Sequence, residues 1–177
     1  MHSVGDIKKQ TGFTIVELLI VIVVIGILAA ITVVAYNGVQ QRARNIQTIT
    51  AVKEYQKAFI MYARENGVYP GAGNYCLGTG YPGDYCWDNR TYTPSAAANT
   101  QLNTIITNLP NPSVINVYRN ATDGNRRGIL YVSGQHLRYQ LEGESAQCEL
   151  SGASRSFTTG ESTGPECSAH LPSLTNL

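Results

Sequence analysis

Between residues 13 and 36 the chain carries an almost unbroken apolar run, and one carboxylate, Glu17, stands near its start. The only other polar side chains before the closing Tyr36 are Thr14 and Thr32. At about 1.5 Å per residue a helix over this run reaches roughly 36 Å, enough to cross a hydrocarbon core of about 30 Å. A buried core helix is the competing reading, but the run is too long and too uniform for one. It therefore predicts a membrane-spanning helix. Lys8 and Lys9 precede it and no basic residue follows before Arg42. That bias keeps the N-terminus in the cytoplasm and places the remainder outside. A secretory signal carries its small-residue cleavage site after the apolar stretch. Here no such site follows, and the small residue, Gly12, stands before the run.

The rest of the chain reads as α+β. From Asn37 the sequence turns amphipathic without a proline: Val39, Ala43, Ile46, Ile49, Val52, Tyr55, Phe59, Tyr62 and Ala63 recur every three or four residues. This predicts that the apolar helix continues to about Asn66, where Gly67 suits a left-handed cap and Pro70 blocks continuation. Residues 69–87 are rich in Gly and Tyr and read as a loop. A short helix is expected over 95–109, with Ser95 as N-cap, Leu102, Ile105, Ile106 and Leu109 as its apolar face, and Pro110 as its stop. Residues 114–119 and 129–133 are strand-like. Residues 136–142 alternate, with Leu137, Tyr139 and Leu141 on one face. Residues 146–150 are expected to pair back, giving an antiparallel meander whose apolar face is covered by the long helix. The tail beyond Ser151 reads as irregular. The expected organisation is thus a leader at 1–12, an apolar helix at 13–36, its amphipathic continuation at 37–66, a loop with a short helix at 67–112, and a sheet with a C-terminal loop at 113–177.

A carboxylate near mid-membrane is costly and needs a partner. No Lys, Arg or His lies within the run. Cleavage between Gly12 and Phe13 would create one, because the new α-amino group of Phe13 lies about a turn from Glu17 and within reach of Glu17 in a neighbouring copy. At these residues the sequence resembles a family: Lys8-Lys9-Gln10-Thr11-Gly12 followed by Phe13-Thr14-Ile15-Val16-Glu17-Leu18-Leu19 is similar to the leader and N-terminal helix of type IV pilin precursors and related pseudopilins. The resemblance covers roughly residues 8–70. It implies the type IV pilin fold, a long N-terminal helix packed on a C-terminal antiparallel sheet. It also implies cleavage after Gly12 by a membrane-embedded prepilin peptidase, N-methylation of Phe13 by the same enzyme, and a docking role for Glu17 during assembly. The implied partners are further copies of the chain, membrane lipid before assembly, and, indirectly, an inner-membrane platform protein and cytoplasmic ATPases. Many relatives carry a helix-breaking proline some twenty residues past the cut. Here residues 31–34 have none, and Gly26 and Gly38 are the weak points of the helix.

The four cysteines, Cys76, Cys86, Cys148 and Cys167, favour disulfides in an oxidising compartment and allow three pairings. Joining Cys76 to Cys86 and Cys148 to Cys167 is the sequence-local choice, and the second bond resembles the C-terminal cystine loop of many type IV pilins. The cysteines lack the paired short spacings of a zinc site. Asp84, Asp88 and Asp123 do not form an EF-hand pattern, so no metal or cofactor is expected. Arg126 and Arg127 read as a solvated turn that is a weak candidate for DNA contact. Arg42 and Arg44 read as partners of lipid head groups or neighbouring subunits. The tyrosines at 75, 81 and 85 with Trp87 read either as loop packing around a disulfide or as an adhesive surface. His136 falls on the polar face of its strand, and glycosylation sequons fall at 89–91 and 120–122. A net charge of +1 argues against a dedicated nucleic-acid binder, and no nucleophile–base set or phosphate loop points to an enzyme.

The leading expectation is a structural subunit, a major pilin of an extracellular type IV pilus serving adhesion, twitching motility or DNA uptake. The chain would be a single-pass membrane protein before assembly and part of a surface filament after it. The alternatives are a pseudopilin of a type II secretion system, whose major subunits usually lack disulfides, and a minor or competence pilin.

Overall fold

The structure, a computed structural model, describes residues 12–88, 92–122, 124–133, 135–150, 152–156 and 162–177. The chain divides into two compact units after Val39. Helix α1 (Ile15–Asn66) begins in the first unit and continues in the second. The apolar side chains from Ile15 to Val33 are exposed, and the helix contains a stretch long and apolar enough to cross a membrane. Neither Gly26 nor Gly38 interrupts it. It ends where the sequence predicts. Gly67 takes φ +70° while its N–H still donates to the Ala63 carbonyl, 2.8 Å away.

The second unit is a helix laid on a five-stranded antiparallel sheet. The sheet is built from β1 (Tyr75–Leu77), β4 (Ile129–Val132), β5 (His136–Gln140), β6 (Ser154–Ser156) and β7 (Glu166–His170), in the order β1-β4-β5-β7-β6. Strands β2 (Val117–Asn120) and β3 (Gly124–Arg126) form a separate hairpin. Ile49, Val52, Tyr55, Ala58 and Phe59 of α1 share one core with Leu137, Tyr139 and Leu141, so the alternating face expected of 136–142 is indeed the one the helix covers. Phe59 is the centre of an aromatic group, with ring centroids 5.0 Å from Tyr131, 6.2 Å from Tyr69 and 6.5 Å from Tyr55. Phe59 is fully buried, so Phe59→Ala is expected to cost about 3–5 kcal/mol. A drop of that size in the free energy from urea denaturation, with disulfides intact, is the check.

Several boundaries differ from the sequence reading. The apolar stripe of the second half of α1 starts later than expected: Val39 and Ile46 are 67% and 51% exposed, Ala43 is exposed too, and burial begins at Thr48 and Ile49. At residues 44 and 45 polar contacts, not apolar packing, hold the helix to the sheet. Arg44 grips Glu142 with two bonds, Nε to Oε1 at 2.7 Å and Nη2 to Oε2 at 2.8 Å. The Asn45 amide pairs with both backbone groups of Glu142, at 2.8 and 2.9 Å. Helix α2 (Ala96–Leu102) has the expected cap, Ser95 Oγ accepting from the Ala98 N–H at 3.2 Å, but stops seven residues early. Asn103-Thr104 form a turn there, and the Thr104 hydroxyl takes the Gln101 carbonyl at 2.7 Å. Ile105, Ile106 and Leu109 still pack on the core.

The largest correction concerns the end of the chain. Residues 146–150 form no strand, and the tail read as irregular supplies two. β7 lies between β5 and β6, inside the sheet. Its sequence Glu-Cys-Ser-Ala-His alternates, but with small apolar residues: Cys167 and Ala169 face α1 in the core, while Glu166, Ser168 and His170 take the outer face. The sheet is therefore not a simple meander. β1, too, arises within the Gly- and Tyr-rich stretch read as loop.

Candidate processing and assembly site

Glu17 sits at the start of α1 and closes a capping box with Thr14. The Thr14 hydroxyl accepts from the Glu17 N–H at 3.2 Å, and the Glu17 carboxylate accepts from the Thr14 N–H at 2.8 Å. The Thr14 hydroxyl also donates to the same oxygen, Oε2, at 2.7 Å. Thr14 is thus the N-cap and Glu17 the third helical residue, which satisfies two of the amide groups a helix start leaves open and sets negative charge at the positive end of the helix dipole. The sequence carries the signal plainly, Thr-x-x-Glu ahead of an apolar run, and the reading above missed Thr14 by looking only for a cation. Among the described residues, Glu17 Oε1 accepts no hydrogen bond. Oε2 thus closes the cap, and Oε1 takes no part in it.

Gly12 and Phe13 lie just ahead of this cap. Gly12 is exposed with open space around it, and Phe13 is 89% exposed. Further along, the Thr32 hydroxyl donates to the Ala29 carbonyl at 2.9 Å. All three polar side chains of the apolar run before Tyr36 therefore have partners within the helix itself, which is what a segment in hydrocarbon requires.

The polar residues of the second unit are used internally. Arg44, read above as a lipid or subunit contact, is held by Glu142 instead. Arg126 and Arg127 are 6% and 4% exposed and do not form a solvated turn. Arg126 stacks on Trp87, 3.7 Å from the ring centroid, and bonds Glu166. Arg127 donates to Asp88 at 2.5 Å, to Asn116 at 2.5 Å and to the Tyr85 carbonyl at 2.9 Å. Burial pushes the Asp88 carboxyl up, but hydrogen bonds from Asn125 and Arg127 outweigh it and hold the group below the usual carboxylate range. Asp123 and the sequon at 89–91 lie outside the described residues. Tyr75, Tyr81 and Trp87 are buried. Tyr81 and Trp87 pack with the Cys76–Cys86 disulfide and Leu130, so this loop is a second small core and not an aromatic surface. The other bond joins Cys148 to Cys167, tying an otherwise irregular segment to the inner face of β7.

An apolar helix with a carboxylate-closed cap, followed by a disulfide-braced helix-on-sheet unit, defines an α+β protein of the type IV pilin kind. The comparisons say the same. Residues 7–33 match the prokaryotic N-terminal methylation motif. The chain is 38% identical over 63 residues to type II secretion system core protein G of Vibrio cholerae, covering 36% of this chain and 43% of that one. It is 38% identical over 61 residues to the type IV major pilin protein PilE of Neisseria gonorrhoeae, covering 34% and 36%. It is 39% identical over 62 residues to the fimbrial protein of Neisseria meningitidis serogroup B, covering 35% and 36%. The chain spans less than half the length of these relatives. No solved structure matches it significantly. Over its N-terminal third the chain is thus similar both to type IV pilins and to a type II secretion core protein, and it carries the N-terminal methylation motif.

Proposed function

We propose that this chain is a structural subunit of a type IV pilus, cut between Gly12 and Phe13, N-methylated at Phe13 and polymerised through its N-terminal helix. The observation that carries the proposal is Glu17 at the start of an exposed apolar helix, with Oε2 closing the cap and Oε1 left out of it. Cleavage places the Phe13 amine beside that oxygen, in its own chain or the next, and the pairing neutralises both charges inside an apolar shaft. Before assembly the helix resides in membrane, N-terminus inward. After assembly, the disulfide-braced units coat the filament, as suits an oxidising exterior. The subunit catalyses nothing; prepilin peptidase processes it, and a platform protein with its ATPases moves it.

A second reading has support of its own, because the core protein G of a type II secretion system is as similar to this chain as PilE is. The two disulfides favour the pilus. Mass spectrometry of the material sheared from cells separates the two. Abundant N-terminal peptide beginning at methylated Phe13 in that fraction supports the pilus, mature chain found only in membranes supports the secretion filament, and a chain still beginning at Met1 overturns both. Gly12→Phe is expected to leave the precursor uncut, with no mature chain on an immunoblot. Since a side chain at Gly12 meets no neighbour within 4 Å, loss of cutting would report recognition by the peptidase and not damage to the subunit.

A further inference from the structure

His136 and His170 are a directly opposed cross-strand pair on β5 and β7, on the outer face of the sheet away from α1. Their ring centroids are 4.0 Å apart at an interplanar angle of 63°. His136 Nδ1 lies 3.3 Å from Ser168 Oγ, the next outer-face residue along β7. With Nδ1–H donating to that hydroxyl, the lone pair of His136 sits on Nε2, the tautomer that binds metals. His170 is exposed. We propose that His136 and His170 chelate one divalent transition-metal ion through their imidazoles, with water completing the coordination.

The geometry and the ligand chemistry favour this over a purely structural ring contact. Two imidazoles about 2.0–2.1 Å from a tetrahedral ion have their nitrogens about 3.4 Å apart. Opposed Cβ atoms on neighbouring antiparallel strands stand about 4.5–5.5 Å apart, so side-chain rotation alone can aim both Nε2 atoms at one point without moving the strands. Burial, His170 and Arg138 all lower the His136 pKa. The charged neighbour on the same face, Arg138, is turned toward Glu166, 3.7 Å away, which offsets its repulsion of a cation. From α1 the facing group is the neutral Gln56, whose amide donates to the His170 carbonyl at 3.4 Å. Among the described residues no group of three or more His, Cys, Asp or Glu side chains is placed to hold a metal, so this is an open two-histidine site. Imidazole ligands select Cu(II), Ni(II) and Zn(II) over Ca(II) or Mg(II). A bound ion would clip the interior strand β7 to β5 at the end of the sheet where the chain leaves it, with the Leu171 N–H on the Gln135 carbonyl at 2.8 Å.

The test is calorimetric titration of the full-length chain in detergent micelles with CuCl2, NiCl2 and ZnCl2 at pH 7.5. The third histidine, His2, lies beside the α-amino group and can bind these ions itself, so the titrations use His2→Gln. The expected result is one saturable site per chain, tighter for Cu(II) than for Zn(II) and silent to CaCl2. His136→Gln and His170→Gln should each weaken it at least about tenfold, since loss of a ligand costs no less than loss of a supporting contact. Binding should weaken as the pH is lowered, because protons compete with the metal for the ring nitrogens. To separate loss of binding from damage to the sheet, Trp87 fluorescence without metal must match the parent, and ZnCl2 must raise the midpoint of thermal unfolding for the parent but for neither variant. Absence of binding, or binding that survives both substitutions, overturns the proposal.

Discussion

Glu17→Ala is expected to yield a subunit that is processed and membrane-inserted but does not assemble, with filament recovered from the cell surface falling at least about tenfold, the equivalent of 1.4 kcal/mol per docking step. The cap geometry complicates this experiment in a useful way. Glu17 Oε2 accepts both bonds from Thr14, so alanine removes a helix cap worth about 1 kcal/mol as well as a charge. Glu17→Gln separates the two roles. Glutamine also closes a capping box, but carries no charge to meet the amine of Phe13. If docking depends on the ion pair, both variants fail to assemble and Thr14→Ala assembles nearly normally. If the carboxylate serves only the helix start, Glu17→Gln restores filaments, and the docking role proposed for Glu17 is wrong.

Glu166→Ala should be the most damaging single change in the second unit, at about 3–5 kcal/mol. Glu166 is 6% exposed in the interior strand β7. It accepts from Arg119 at 3.2 Å, from Arg126 and from Gln140 at 3.3 Å, with Arg138 at 3.7 Å. Removing the carboxylate takes from the buried Arg126 guanidinium its bond to Glu166, and stacking on Trp87 restores only part of that loss. Trp87, the only tryptophan of the chain, touches this network and reports its collapse. Urea unfolding followed by its fluorescence, with disulfides intact, is the measurement. A change below about 1 kcal/mol would mean that the charges are solvated and that this cluster does not hold the sheet together.

These two residues illustrate what the sequence disclosed and what it concealed. Glu17 stands out because a lone carboxylate in an apolar run is costly in hydrocarbon and calls for a partner. The helix over 15–66 was legible for the same reason: its periodicity is long, and its stop at Gly67 is chemically definite. Glu166 gave no such signal. A single charged residue in a polar tail is ordinary until three arginines, one each from β2, β3 and β5, converge on it, and those contacts span up to 47 positions in sequence. β7 was hidden likewise, because Cys167 and Ala169 are too small to register as an apolar alternation, although they are as buried as Leu137 and Tyr139 of β5. In the other direction, Val39, Ala43 and Ile46 satisfied the helical period and still lie exposed, since periodicity marks a face but not whether anything covers it. Within the assembly site the residue overlooked was Thr14, whose cap is a local motif and needed no tertiary information.

The place of β7 has a bearing on how the chain is made. It follows every other described strand in chain order, yet it lies between β5 and β6. Until residues 166–170 are available, β5 has an open edge and the Cys148 thiol has no native partner. The sheet therefore cannot be completed progressively from its N-terminal strands during synthesis, as a meander can. Until then the half-made chain waits with an unpaired strand. Pairing of β7 then seals the sheet and permits the second disulfide in one late, nonlocal event.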